Sequence, residues 1–305
     1  MQLFPESWLT LRSGPYTARL APAAGGRLAA LECVVAGRNV PLIVPCGSEP
    51  FDEHHWPKAG AFPMLPFANR LPEDGFRFGG RTIRPDAGPD GFAVHGFAHR
   101  RPWTLLHGSP TRAVLSLIHP ADGAWPWTWS ARQEVLLGPE GIQVTLAITN
   151  ESAEAMPVGM GWHPYHATGE TIDTRDLVFT AAMRRDLDAQ GCAHQIGSAP
   201  VFRMEPGETA AFQGWDGRAL LRGPGRHAID VSCDGASRLV LLRPVRGEYL
   251  CVEPVTTLPG HLGNEGSEVL ATAQTRSITW CCGLVIGKER SGPPVHPDEP
   301  AQHAP

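Results

Sequence analysis

No stretch of this sequence reaches the roughly 18 consecutive apolar residues that a membrane helix needs, so no membrane partner is expected. The opening stretch MQLFPESWLTLRSGPYTARL lacks the basic start, apolar middle and small-residue cleavage site of a secretory signal, which predicts a soluble cytoplasmic protein. Concentrated positive charge is missing as well. With 26 Lys and Arg against 31 Asp and Glu the net charge is -5, which gives no footprint for a phosphate backbone, and no nucleic-acid partner is expected. Seven cysteines at irregular spacings form no CxxC knuckle, and the adjacent Cys281 and Cys282 are poorly placed to bridge each other, so free thiols in a reducing compartment are expected.

Several chemistries lose their support in the same way. A P-loop, a GxSxG nucleophile elbow and an HExxH zinc helix are all missing. The segment Gly159-Met-Gly161-Trp-His-Pro starts like a dinucleotide loop but has no third glycine, and Pro164 obstructs the helix that should follow. Asp52, Glu53, His54 and His55 carry metal-binding groups, yet neighbouring side chains diverge and no Cys or His framework supports them; a solvated loop without metal is expected. No cofactor is expected.

Long amphipathic helices are missing too, which disfavours a doubly wound α/β sheet. Present instead are 30 prolines and 34 glycines, spread through a chain that is 42% hydrophobic and 19% charged. They interrupt helices and supply turns between short strands. The clearest strand is 141–150, where Ile142, Val144, Leu146 and Ile148 alternate with Gln143, Thr145, Ala147 and Thr149. Further runs lie at 113–118, 127–137, 238–245, 249–255 and 277–286. The expected fold is all-β, a large antiparallel β-sandwich forming one domain over 1–287, with 288–305 as a disordered Pro-rich tail.

Four segments gather polar, reactive residues among aromatic, Gly and Pro residues: PFANR at 66–70, HGFAHRRPW at 95–103, GWHPYH at 161–166 and CVEPVTTLPG at 251–260. Together and in this order they resemble the aldose 1-epimerase family of galactose-mutarotase-like proteins. The resemblance runs from GGRLAAL at 25–31 through Trp280 and implies that family's large antiparallel sandwich. It implies interconversion of the α and β anomers of a free aldose without a cofactor. One group removes the proton of the anomeric hydroxyl, another protonates the ring oxygen, and the roles exchange when the opened sugar closes on its other face. By resemblance Glu253 is the base and His163 the acid, His95 is a second histidine near the ring oxygen, and Asn69 and Arg70 meet sugar hydroxyls. The partner is then a monosaccharide, met by a monomer or homodimer.

Within the run 249–255, Cys251 and Glu253 should share one strand face and Leu250 and Val252 the other, with Pro254 ending the ladder near Glu253. Trp162, ahead of Trp103 and Trp56, is expected to offer the sugar an apolar stacking face. His99, Arg100 and Arg101 are expected on a solvated loop, with phosphosugar recognition as the other possibility. One departure concerns an aspartate that many relatives carry three residues before a phenylalanine. In ETAAFQGWDG that place belongs to Thr209, leaving Asp216 or another acid to substitute. A hexose 6-phosphate mutarotase, a non-catalytic sugar-binding module and a glycoside-cleaving enzyme therefore stay open, although nothing selects a second carboxylate beside Glu253 for the last.

Overall fold

The computed structural model describes residues 8–47, 51–52, 55–168, 177–194, 204–222, 227–246, 249–264 and 266–286. The proposed tail at 288–305, together with Glu53 and His54, lies outside them. The regular structure of the described residues is all strand apart from a single 3-10 turn at Ala98–Arg100. One sheet runs in the order Leu9–Ser13, Tyr16–Ala21, Arg27–Val35, Arg38–Ile43, Gly161–Ala167, Tyr249–Val255, Arg238–Leu242, Thr209–Gln213 and Met183–Asp186. Ala61–Met64 pairs beside this path with Gly161–Ala167 and Arg27–Val35. The second sheet runs Leu177–Phe179, Arg218–Arg222, His227–Asp234, Thr275–Ile286, Gly141–Asn150, Trp129–Gly138, Arg112–His119 and Thr104–Gly108. Every ladder in these two sheets is antiparallel.

The alternation expected at 141–150 is realised: Ile142, Val144, Leu146 and Ile148 are buried while Gln143 is exposed. Their face joins a core that also holds Trp125, Trp127, Trp129 and Trp280 and reaches across to Leu250, Val252, Leu239 and Leu241 of the first sheet. Burying large aromatic and branched side chains between two sheets, each contributing alternate residues, is what makes such a sandwich cohere. The opposite face of the first sheet is free of that core. There Phe62, Tyr165, Cys251, Val240 and Ala211 form a separate apolar floor.

Candidate active site

The floor is organised in rows across the strands. His163 pairs with Phe62, and the register that matches Gly161 with Val255 and Tyr165 with Cys251 sets His163 opposite Glu253. Glu253 in turn pairs with Val240, and Val240 with Ala211. One row is therefore Phe62, His163, Glu253, Val240 and Ala211; the next is Tyr165, Cys251, Leu242 and Thr209. Side chains two apart on a strand share a face, so all of these project to one side. Pro254 still pairs with Leu239 and the strand ends one residue later at Val255, so Glu253 lies near a strand end, as expected, yet within a sheet paired on both sides.

His163 Nε2 and Glu253 Oε1 lie 3.4 Å apart, with His163 4% and Glu253 1% exposed. Burial raises the Glu253 carboxyl to about 8, an effect that the Lys58 ammonium partly opposes. Burial also drives His163 well below the usual imidazole range, assisted by His95, Lys58 and the buried Arg27. At neutral pH the pair thus rests as a neutral carboxylic acid beside a neutral imidazole. Packing fixes the imidazole plane: His163 stacks on Phe62 (4.6 Å between centroids) and on Tyr165 (4.8 Å). Behind Phe62, the Arg27 guanidinium sits 4.6 Å from the ring centroid and donates to the Ala59 carbonyl at 2.8 Å.

Two loops close over this floor. PFANR and HGFAH are stitched together by His95 N–H donating to the Asn69 carbonyl (3.0 Å) and Phe97 N–H to the Leu65 carbonyl (2.7 Å). Asn69 (φ 57°) and His95 (φ 61°) both adopt left-handed backbone, a conformation that non-glycine residues hold only when their surroundings impose it. At Gly96 (φ 68°) a Cβ would fall 2.0 Å from the Leu65 carbonyl oxygen, so the glycine serves the approach of that loop. The His95 ring lies 4.9 Å from that of His163, is pushed down to about 3 by burial, and has a buried Nδ1 without a partner. The Asn69 amide nitrogen is likewise buried and unpartnered. Unsatisfied polar atoms of this kind at a cavity wall are the groups a hydroxylated ligand would satisfy.

A cavity of about 970 Å³ opens above the pair, lined by His163, Glu253, His95, Asn69 and Arg70, so five of the six anticipated residues meet there. Arg70 donates to Asp90 at 2.8 Å and crosses the Phe92 ring, which holds its guanidinium at the wall. Trp162 is the exception. It is 1% exposed, faces the sandwich core and packs 5.8 Å from Trp280, because neighbours on a strand point to opposite faces and His163 takes the cavity side. Trp56 lines the cavity instead, beside Tyr165, Tyr249 and Lys58.

The 99–101 run also differs from expectation. His99 is fully buried against Phe62 and Trp56, Arg100 reaches the cavity wall, and Arg101 faces Asp122 at 3.8 Å. Thr209 does line the cavity, as its row position requires. Asp216 lies past the other end of its strand and accepts the Arg218 N–H at 3.0 Å. Among the described residues, the carboxylates in the wall besides Glu253 are Asp90 and Asp188, and Asp188 is engaged by the N–H groups of Gln190 and Cys192, both at 2.9 Å.

Comparison with known proteins agrees with this fold. The Escherichia coli protein YphB, itself uncharacterized, is 26% identical over 247 residues, covering 72% of this chain and 81% of that protein. A galactose mutarotase-like protein from Clostridium acetobutylicum superposes with a TM-score of 0.76 at 16% identity, covering 91% of this chain and 95% of its own. A galactose 1-epimerase from Lactobacillus acidophilus gives 0.72 at 16% identity, covering 92% and 94%. The family model for aldose 1-epimerase matches residues 10–208, a span that holds Asn69, Arg70, His95 and His163. With that match running over most of its length, the chain belongs to the aldose 1-epimerase family.

Proposed function

We propose that the protein is an aldose 1-epimerase that opens and recloses the ring of a free aldose with Glu253 and His163 as its acid and base. The observation that carries this reading is the buried 3.4 Å contact between the two side chains on neighbouring strands, at the base of a cavity. The anomeric hydroxyl and the ring oxygen are attached to the same carbon, so groups this close can address both. The ionised form, Glu253 carboxylate with His163 imidazolium, serves ring opening: the carboxylate takes the hydroxyl proton and the imidazolium protonates the ring oxygen. The neutral form serves closure, with the carboxyl protonating the carbonyl oxygen and the imidazole accepting the proton of the attacking hydroxyl. Both forms hold the same number of protons, so turnover needs no external acid or base. His95 offers a neutral ring nitrogen to the sugar, and Asn69 and Arg70 offer donors to its hydroxyls.

Exchange between anomers, followed by saturation-transfer NMR on a panel of aldoses, tests the reading. Wild-type protein accelerates exchange for at least one sugar, and Glu253→Gln abolishes the acceleration. Binding without acceleration identifies a sugar-binding module instead. A second reading, a mutarotase for hexose 6-phosphates, draws on Lys58 and Thr209. Lys58 lines the cavity without a carboxylate partner among the described residues, and Thr209 removes a negative charge from the wall. Preference for a phosphorylated over a neutral hexose, lost in Lys58→Met, distinguishes it.

A further inference from the structure

One buried group on the floor is left unused by this chemistry. Cys251 lies one strand position pair before Glu253 on the same face, is fully buried, and does not form part of the cavity wall. Its Sγ, a His163 ring nitrogen and a Glu253 carboxylate oxygen all lie within 4.8 Å of one another. We propose that these three atoms form a binding site for a borderline divalent cation, with zinc as its representative, and that a bound ion shuts off the acid and base pair.

The geometry supports this. Zinc takes imidazole nitrogen at about 2.0–2.1 Å and carboxylate oxygen at about 2.0–2.2 Å; at a tetrahedral angle the two donors then stand about 3.4 Å apart. His163 Nε2 and Glu253 Oε1 already stand 3.4 Å apart. With zinc to sulfur at about 2.3 Å, the sulfur should sit about 3.6 Å from each of the others, so side-chain adjustments of about 1 Å complete the site. Three protein ligands leave the fourth position open to water or a hydroxyl from the cavity. The donor set of imidazole, thiolate and carboxylate suits zinc or cobalt and disfavours magnesium or calcium. A separate observation points to an unfilled ligand: Glu253 Oε2 is buried and has no hydrogen-bond partner. On binding, the thiol proton and the carboxyl proton leave to solvent and the thiolate and carboxylate neutralise the ion. That the ion blocks turnover rests on the mutarotase reading, because it occupies the nitrogen and oxygen that move the sugar's protons. That it binds does not.

The test is a titration of metal-free protein with cobalt(II), read by absorption. A thiolate-to-cobalt charge-transfer band with the intense visible bands of four-coordinate cobalt is expected, and excess zinc should remove both. Cys251→Ser, checked by circular dichroism for an intact fold, should lose the charge-transfer band. It should also bind zinc more weakly by at least the ~10–100-fold that loss of an outer-shell partner costs. In the exchange assay zinc should inhibit wild type reversibly to EDTA, while Cys251→Ser, compared with its own zinc-free rate, should be inhibited far less. Absence of the charge-transfer band, or its persistence in Cys251→Ser through another of the seven cysteines, overturns the proposal. If no protein accelerates exchange, the mutarotase reading fails while the cobalt titration still decides the metal site.

Discussion

Glu253→Gln removes the ionisable proton of the site while keeping its shape, and the consequence for stability can be worked out from burial alone. The folded-state carboxyl titrates at about 8 against an unfolded value of 4.5. Below pH 4.5 both states are protonated and ionisation contributes no difference. Between pH 4.5 and about 8 the unfolded chain releases a proton that the folded chain retains, so wild-type stability falls as pH rises. Above about 8 the loss levels off. At about 1.4 kcal/mol per pH unit, the full interval amounts to about 5 kcal/mol. Glutamine has no such proton, and subtracting the two proteins' unfolding free energies cancels the titrating groups that do not couple to position 253. Urea melts at pH 5, 6, 7 and 8.5 should therefore show the variant gaining on wild type with each step up, by about 1 kcal/mol or more per unit. A difference that stays constant with pH, or that moves in favour of wild type, would refute the neutral buried carboxyl.

On the proposed mechanism the same proton governs the rate. Because the pair needs one shared proton to turn over, anomer exchange corrected for the spontaneous reaction should fall as pH rises through about 8, approaching tenfold per unit. The two tryptophans separate core from cavity. Trp162→Ala should cost about 3–5 kcal/mol in a denaturant melt. Trp56→Ala, at the cavity wall but packed edge-on against Phe62, His95 and His99, should cost less stability than Trp162→Ala and raise KM as well.

Much of this candidate site is legible in the sequence, because its polar residues come in short segments with unusual composition. The strand at 249–255 was fully legible: alternation separates Cys251 and Glu253 from Leu250 and Val252, and the structure keeps them on opposite faces. The same rule, applied to GWHPYH, would have excluded Trp162, since it cannot share a face with His163. Lys58 and Trp56 carried no signal of this kind. They lie in an aperiodic stretch, and only the long-range pairing of Ala61–Met64 with Gly161–Ala167 brings them to the floor. The basic neighbours of His99 point to solvent, but the fold turns it under Phe62, where it is stacked and fully buried.

The rows also explain why the candidate pair and the wall above it were not equally legible. The separation of His163 and Glu253 is set by two hydrogen-bonded strands, whose spacing is nearly invariant at about 4.7–4.9 Å. Changing it would mean breaking the ladder on both sides of the pair. Arg70, His95, Asp90 and Asp188 instead come from loops and turns above that floor, each held by a few local bonds that another sequence could replace. Thr209 stands between these regimes: its position is fixed by the Leu242 register, yet its side chain is free to vary without disturbing the pairing. An aspartate can therefore become a threonine there while His163 and Glu253 beneath it keep their distance. On the proposed reading, chemistry encoded in a ladder persists through changes that retune which sugar is held above it.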